Sequence, residues 1–475
     1  MKVLLVQPPL YKNLGLQAFI LPEPLGLESV AASLLPEHEV YILDMRLEPS
    51  LRKTLASIKP DAVGVSASFT PDVYNACRVL EVAKDFNPRI YTFVGGHHAT
   101  LNDADFFGHA DAVVLGEGEL TTPELLRFWE EGRALDEVEG IAFQKGDQWV
   151  RTKPRPLIEN LDETPLPARE LTAKYWEHYF HGDRHPVAYV ETARGCPFHC
   201  KFCSVWEFYR GSYRARSPER VVQELKQIEA PHIFFTDDNF LANVSRVEKI
   251  YEAIKKAAIN KYYMMQIRAD SIVKYKNILA KWASVGLQSV FVGFESITQR
   301  WLDELGKRLS VSQIEEAIET LRELGLSAMS SFIINPDFEL QDFIDLKRFV
   351  KRMKLPMPVF SVLTPLPGTV LYRERAQELT TKNYELFDVI HAVLPTRLEL
   401  SRFYKEYTSL VKSSYLPYFS PRNFIKRLCT GSLGSFFKQF WTGIKLLRES
   451  SPRAMVKQHK LPPGKLSEAK FPWGS

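Results

Sequence analysis

The chain has 475 residues, 45% hydrophobic and 25% charged, with a formal net charge of +4. That length predicts two to three domains, each able to bury its own core, and the absence of low-complexity tracts and internal repeats excludes a fibrous or disordered chain. The charge is uneven: residues 401–475 hold 14 Lys and Arg against 3 Asp and Glu, a basic tail on an acidic body that needs its own explanation.

The opening MKVLLVQPPL has one basic residue and only four consecutive apolar ones before Gln7 and two prolines. That is too short for a signal h-region or a membrane span, so a cytoplasmic, reducing compartment is expected. Val3–Val6 has the pattern of a buried parallel strand. The pattern then predicts a helix over 25–35, a strand over 39–43, a helix over 50–58, a strand over 62–68, a helix over 72–86, and strands over 90–96 and 111–119. Strands alternating with helices predict a doubly wound parallel α/β sheet. Such sheets bind ligands beyond the carboxyl ends of their strands, and small residues collect there: Ser66 and Ser68, Gly95 and Gly96, then Gly116, Glu117 and Gly118. Taken singly, each is an ordinary strand-end turn; three such ends in succession point to a site. Cys77 reads as a small buried hydrophobe.

GDQWVRTKPRPLIENLDETPLPARELT is proline-rich and aperiodic and reads as a linker. The expected division is a first domain over 1–150, a linker over 151–186, a second domain over 187–390 and a basic helical region over 391–475. In the second domain, PVAYVETARG (186–195) reads as a strand leading into a cysteine loop. Strands are also predicted over 232–240, 263–270, 289–296, 328–336 and 358–369, six in all, which suggests a partial TIM-like (β/α)6 barrel with polar residues at strand carboxyl ends.

Of the five cysteines, Cys196, Cys200 and Cys203 stand in C-x3-C-x2-C spacing. Thiols at this density in a reducing compartment point to a metal centre. Three ligands suit an iron–sulfur cube with one iron left open, where a closed structural zinc site wants four. With Phe202 before the third cysteine, the loop resembles the radical S-adenosylmethionine (SAM) signature.

The resemblance implies a [4Fe–4S] cluster on these three cysteines, with SAM on the open iron, cleaved by one electron to a 5′-deoxyadenosyl radical. It also implies SAM contacts from Phe202, Asp237, Asp238, Asn239, Arg268, Glu295, Ser296 and Asn335. Each of these residue types is more commonly a cap or a turn, and it is their collective place at strand ends that carries the reading.

The first domain resembles the cobalamin-binding domain preceding many radical SAM domains, in the wording VSASFTPDVY, VGGHHAT and GEGE. This implies cobalamin contacts from Ser66, Ser68, Gly95, Gly96, His97, Thr100, Gly116, Glu117 and Gly118. Where a cobalt-ligating histidine motif would fall, the chain reads Asp44-Met45-Arg46-Leu47-Glu48, so methylcobalamin is expected without a protein histidine ligand.

The loop CPFHCKFCSVWEFYRGSYRARSPERVV is most similar to the hopanoid C-3 methylase branch and also resembles anaerobic Mg-protoporphyrin ester cyclases. Trp206, Phe208 and Tyr209 fit a substrate pocket or barrel packing equally. In the tail, Leu433, Phe436, Phe437, Phe440, Trp441, Ile444 and Leu447 form one stripe beside basic residues, and Phe424, Ile425 and Leu428 alternate with Arg and Lys. Such a helix either packs on the barrel or lies in a membrane interface. Nucleic acid is not expected, because no recognised motif accompanies the charge. Cys429 carries no role.

Together these imply a cobalamin-dependent radical SAM C-methyltransferase acting on an sp3 carbon of a polycyclic lipid, peripheral at the inner membrane face and served by a flavodoxin- or ferredoxin-like electron donor. The alternatives are an oxidative porphyrin cyclase and a non-enzymatic cobalamin sensor.

Overall fold

The computed structural model describes residues 1–9, 20–356, 358–415 and 451–468. The first sheet has seven strands: β1 (Lys2–Gln7), β2 (Glu39–Asp44), β3 (Ala62–Ser66), β4 (Tyr91–Gly95), β5 (Ala112–Val114), β6 (Ile141–Lys145) and β7 (Gln148–Arg151). Their spatial order is 2-1-3-4-5-6-7. The first five are parallel and the last two form an antiparallel edge hairpin.

Alternation along β1 builds the two faces. Val3 and Leu5 pack with α1 (Leu25–Leu34) and the long helix Gly118–Glu131, while Leu4 and Val6 pack with α2 (Leu51–Ile58) and α3 (Val73–Phe86). The short helix His97–Leu101 is α4, and Gly118–Glu131 is therefore α5.

Two expectations change here. The segment 111–119 is a three-residue strand followed by a turn, and Gly118 already opens α5, so the glycines lie at a helix start. Residues 148–151, read as linker, form β7, turned back after β6 at Gly146, whose φ is +60°. A strand with half-exposed Trp149 and Val150 between Gln148 and Arg151 shows no apolar run, which is why composition alone reads it as a loop.

The second sheet is β8 (Val187–Val190), β9 (His232–Phe235), β10 (Tyr262–Ile267), β11 (Leu287–Glu295), β12 (Ser327–Ile334) and β13 (Val359–Val362). All six are parallel and adjacent in chain order, with helices in every crossover, giving an open half-barrel. The helix starts are well signalled: Ser217 caps Pro218–Gln227 with Pro218 in the first turn, Asn243 caps Val244–Lys256, and Ser310 with Gln313 forms a capping box. The stretch expected as one strand over 186–195 divides. β8 ends at Val190, and Ala193–Arg194 pairs with Arg214–Ala215 in a separate ribbon.

Helix Leu400–Tyr415 packs on Leu340–Arg352 and on Pro452–Gln458. The stripe over 433–447, the pattern over 424–428 and Cys429 lie outside the described residues. Among the described residues no helix is long and apolar enough to cross a membrane.

Candidate functional site

The ribbon at Ala193–Arg194 and Arg214–Ala215 forms the base of the cysteine loop. Gly195 enters it at φ +88°, where a Cβ would overlap the Ser212 carbonyl oxygen, so only glycine passes the chain into Cys196. The loop turns on itself through Cys203 N donating to Cys200 O (3.1 Å) and Trp206 Nε1 donating to the same oxygen (3.1 Å). It is fastened to the barrel through Lys201, whose amide donates to Leu305 O (3.3 Å) and whose carbonyl accepts from Leu371 N (2.9 Å). Phe202 packs against a cluster of Leu305, Ile333, Leu363 and Leu371, anchoring the loop between its cysteines.

The three thiols are unbridged and lie within electrostatic reach of one another. Burial pushes the Cys203 thiol up to about 12, so a metal must displace its proton. Among the described residues no three His, Cys, Asp or Glu side chains converge on a single ion. A cubane takes one thiolate per iron at separate corners, and three soft donors spread along one loop fit it.

Asp237 and Asp238, adjacent at the end of β9, part company. Asp237 accepts from Thr192 N (2.7 Å) and Thr192 Oγ1 (2.6 Å) and thereby pins the end of β8. Asp238 lies within electrostatic reach of Cys196 and Cys203; burial first, then Glu191 and Asp237, push its carboxyl up to about 7. Asn239 is buried, and its Oδ1 has no partner among the described residues.

Arg268 stacks 3.7 Å from the Phe198 ring centroid and donates to Asp270 (3.1 Å) and Lys307 O (2.9 Å), so it braces the cysteine loop from below. Glu295 accepts from Lys307 Nζ (2.6 Å), both side chains buried, with the Glu295 backbone at φ +64°. Ser296 Oγ accepts from Thr298 N (3.1 Å) and Asn335 Oδ1 from Asp337 N (3.0 Å), both local turns. The structure thus brings Asp238 and Arg268 to the cysteine loop, leaves Asn239 Oδ1 unpartnered among the described residues, and gives Asp237, Arg268, Glu295, Ser296 and Asn335 intramolecular partners.

On the other side, a cavity of about 200 Å³ opens where β1 and β3 diverge, the switch point of the doubly wound sheet. Ser66, Ser68, Gly95, Gly96, His97, Gly116, Glu117 and Gly118 all line it, as do Phe208 and Tyr209 from the cysteine-loop side. The aromatic pair is therefore a shared wall between the two halves. His97 Nε2 is buried with no partner among the described residues, its ring 4.0 Å from that of Phe208, and burial lowers the imidazole to about 4, so it is neutral at pH 7. A Cβ at Gly116 would meet nothing within 4 Å. An imidazole whose Nε2 has no partner among the described residues, an open glycine edge and two serines in a cavity of this size fit one arm of a large polar ligand such as cobalamin.

His98 is by contrast spent on Thr70 (3.1 Å) and Asp105 (2.9 Å). Thr100 is outside the wall but accepts the Gly116 amide (2.9 Å), shaping the turn. Arg46, in the place of the absent histidine, is held by Asp44 (2.6 Å) and Pro22 O (2.7 Å). Sequence reasoning missed Arg194 and Arg214, which join Glu117 across the two halves, Arg194 also holding Glu119. The one signal available was the place of Arg194, one residue before Gly195-Cys196.

With this geometry in hand, the comparisons with known proteins can be read. The Radical SAM superfamily matches residues 190–350 and the B12 binding domain matches residues 18–126. The hopanoid C-3 methylase of Methylococcus capsulatus is 37% identical over 427 residues, covering 88% of this chain and 80% of that one. An uncharacterized methyltransferase of Pyrococcus horikoshii is 31% identical, covering 90% and 94%. The anaerobic magnesium-protoporphyrin IX monomethyl ester cyclase of Rubrivivax gelatinosus is 29% identical, covering 80% and 69%. Among solved structures, the cobalamin-dependent radical enzyme OxsB, with aqua-cobalamin and S-adenosylmethionine bound, is similar with TM-score 0.71 and 18% identity over 99% of this chain and 79% of that one. The methyltransferase TsrM of Kitasatospora setae, with cobalamin and a [4Fe–4S] cluster, is similar with TM-score 0.65 and 18% identity over 80% and 76%.

Proposed function

Because the chain belongs to the cobalamin-binding radical SAM methyltransferases, we propose that it transfers a methyl group to an unactivated sp3 carbon of a polycyclic lipid, C-3 of a hopanoid being the favoured position. The observation that carries the substrate is the 37% identity to a hopanoid C-3 methylase across 80% of that protein. The basic tail over residues 401–475 supports pickup from an anionic bilayer surface.

When bound, the [4Fe–4S] cluster supplies the electron that splits SAM, and methylcobalamin supplies the methyl group. Cys196, Cys200 and Cys203 would hold the cluster. Asp238, within electrostatic reach of that loop, and Asn239, whose buried Oδ1 has no partner among the described residues, would meet SAM. Ser66, Ser68, Gly95, Gly96, Gly116 and Gly118 would let the corrin and its tail lie against the sheet, with His97 Nε2 as a neutral hydrogen-bonding partner. Thr100 would hold the Gly116 turn in shape. Phe208 and Tyr209, between the two sites, would exclude water from the reacting carbon. Asp237, Arg268 and Glu295 would act as braces that keep the loop and strand ends in register.

The test is anaerobic reconstitution with iron, sulfide and cobalamin, followed by reductant, methyl-labelled SAM and a desmethyl hopanoid. Labelled methylhopanoid with 5′-deoxyadenosine is the expected result. Deoxyadenosine with unlabelled hopanoid would overturn the lipid assignment and favour the porphyrin, on which the 29%-identical cyclase acts.

A further inference from the structure

Between the cavity and the cysteine loop lies a buried knot of charge that the reaction chemistry does not call for. Arg194, 5% exposed, donates to Glu117 Oε1 (2.8 Å), Glu119 Oε1 (2.5 Å) and Glu191 Oε2 (2.8 Å). Glu117 also accepts from Arg214 Nη1, 2.9 Å to each oxygen, and from Ile158 N (2.7 Å). Arg214 Nη1 donates in turn to Ile158 O (2.6 Å). Four chain segments therefore meet at one point: the glycine turn of the first sheet, the connection, the end of β8 and the return strand of the ribbon.

Such an arrangement is a poor source of stability. Taking charges out of water costs about as much as their pairing returns, and apolar replacements of similar volume are often equal or better. What it supplies is a fixed geometry, because a guanidinium fork satisfied on three sides has one orientation. Its position gives that geometry a use. Glu117, Glu119, Glu191 and Arg194 line the cavity beside Gly116 and Gly118. Gly195, the single residue between Arg194 and Cys196, lies against the Ser212 carbonyl with no room for a side chain.

We propose that Arg194 is a positioning residue that sets the distance and orientation between the glycine turn at the cobalamin site and the cysteine loop, so that radical formation and methyl transfer occur on one aligned pair of sites. This rests on the reading of the two sites given above. Misalignment near 1 Å in such a reaction costs on the order of 100-fold, and it would let SAM be consumed without methylating product.

The test compares wild type with Arg194→Lys, which keeps the charge but loses the fork, and with Glu117→Gln, which keeps an acceptor for Ile158 N. Three quantities are read on reconstituted protein: hydrogen exchange of the amides at 116–119 and 158, the rate of cobalamin loss on dilution, and deoxyadenosine formed per methyl group transferred from labelled SAM to desmethyl hopanoid. With iron and sulfide content unchanged, both variants should show faster exchange in those amides, cobalamin loss on the order of tenfold faster, and on the order of tenfold more deoxyadenosine per methyl group. Wild-type exchange and cobalamin retention in both variants would overturn the proposal. A lower Tm with an unchanged product ratio would also overturn it, leaving the knot a structural tie. If wild type methylates no hopanoid, the substrate reading fails, while exchange and cobalamin loss still decide the role of Arg194.

Discussion

Gly64, in the middle of β3, tests whether the cavity is the cobalamin site. A Cβ built there would lie 2.3 Å from Phe93 Cζ and 2.9 Å from Leu5 Cδ2. Phe93 is 4% exposed, lines the cavity and has Trp129 on its flank, with ring centroids 6.1 Å apart, so the relief open to it is to swing into the cavity. At Gly64→Ala the ordinary gain from a less flexible unfolded chain is about 0.5–1 kcal/mol. Overpacking costs about 1–3 kcal/mol, so a net loss of about 0–2.5 kcal/mol is expected. For a unit of this size that is a fall in Tm of up to about 10 °C. The functional loss should be larger, because a phenyl ring takes up a large part of a cavity of about 200 Å³. Cobalamin affinity should fall on the order of tenfold or more, measured by equilibrium titration of the folded protein at 20 °C. The double variant Gly64→Ala with Phe93→Leu should recover most of that affinity, since the shorter side chain no longer meets the new methyl. Unchanged affinity in Gly64→Ala, with the Tm lowered as expected, would refute the placement of cobalamin in this cavity.

Other consequences are as direct. Cys200→Ala should abolish cluster assembly and SAM cleavage while leaving cobalamin affinity within a few-fold, read from iron content, deoxyadenosine and titration on one preparation. His97→Phe removes the unpaired Nε2 from the cavity and should weaken cobalamin binding several-fold, whereas His98→Phe, breaking the bonds to Thr70 and Asp105, should lower Tm more than affinity. Glu28 is buried against Thr172, and desolvation, then Glu23, push its carboxyl up from 4.5 to about 8. The folded state therefore keeps a proton that the unfolded chain releases. That contribution is full below pH 4.5 and is lost as pH rises toward 8, so Glu28→Gln should flatten the fall in Tm across that window.

The alternation of strands and helices, the strand-end glycines and the cysteine loop were legible because each follows from local pattern. Apolar runs mark β1 and β3, and the loop's spacing needs no tertiary knowledge. Partner choice was not legible. Asp237 and Asp238 read alike in sequence, yet both lie past the last residue of β9, where strand alternation no longer fixes direction, and one is spent on Thr192 while the other lies within electrostatic reach of the cysteines. Nothing local would have separated Glu295 from a free ligand contact, since it is satisfied by Lys307, 12 residues further on; Arg268 has Asp270 two residues on as well as the Lys307 carbonyl.

Glu117 makes the same point most sharply. In sequence it belongs to a glycine-rich turn, and such a turn usually offers its backbone to a ligand. In the structure its carboxylate is taken up by arginines 77 and 97 residues distant. A carboxylate buried at 9% exposure must be paired or neutral, so the burial itself requires basic partners, and the fold can supply them only from the other half. The glycines on either side remain free to meet a ligand, because the acidic residue between them holds the two halves together.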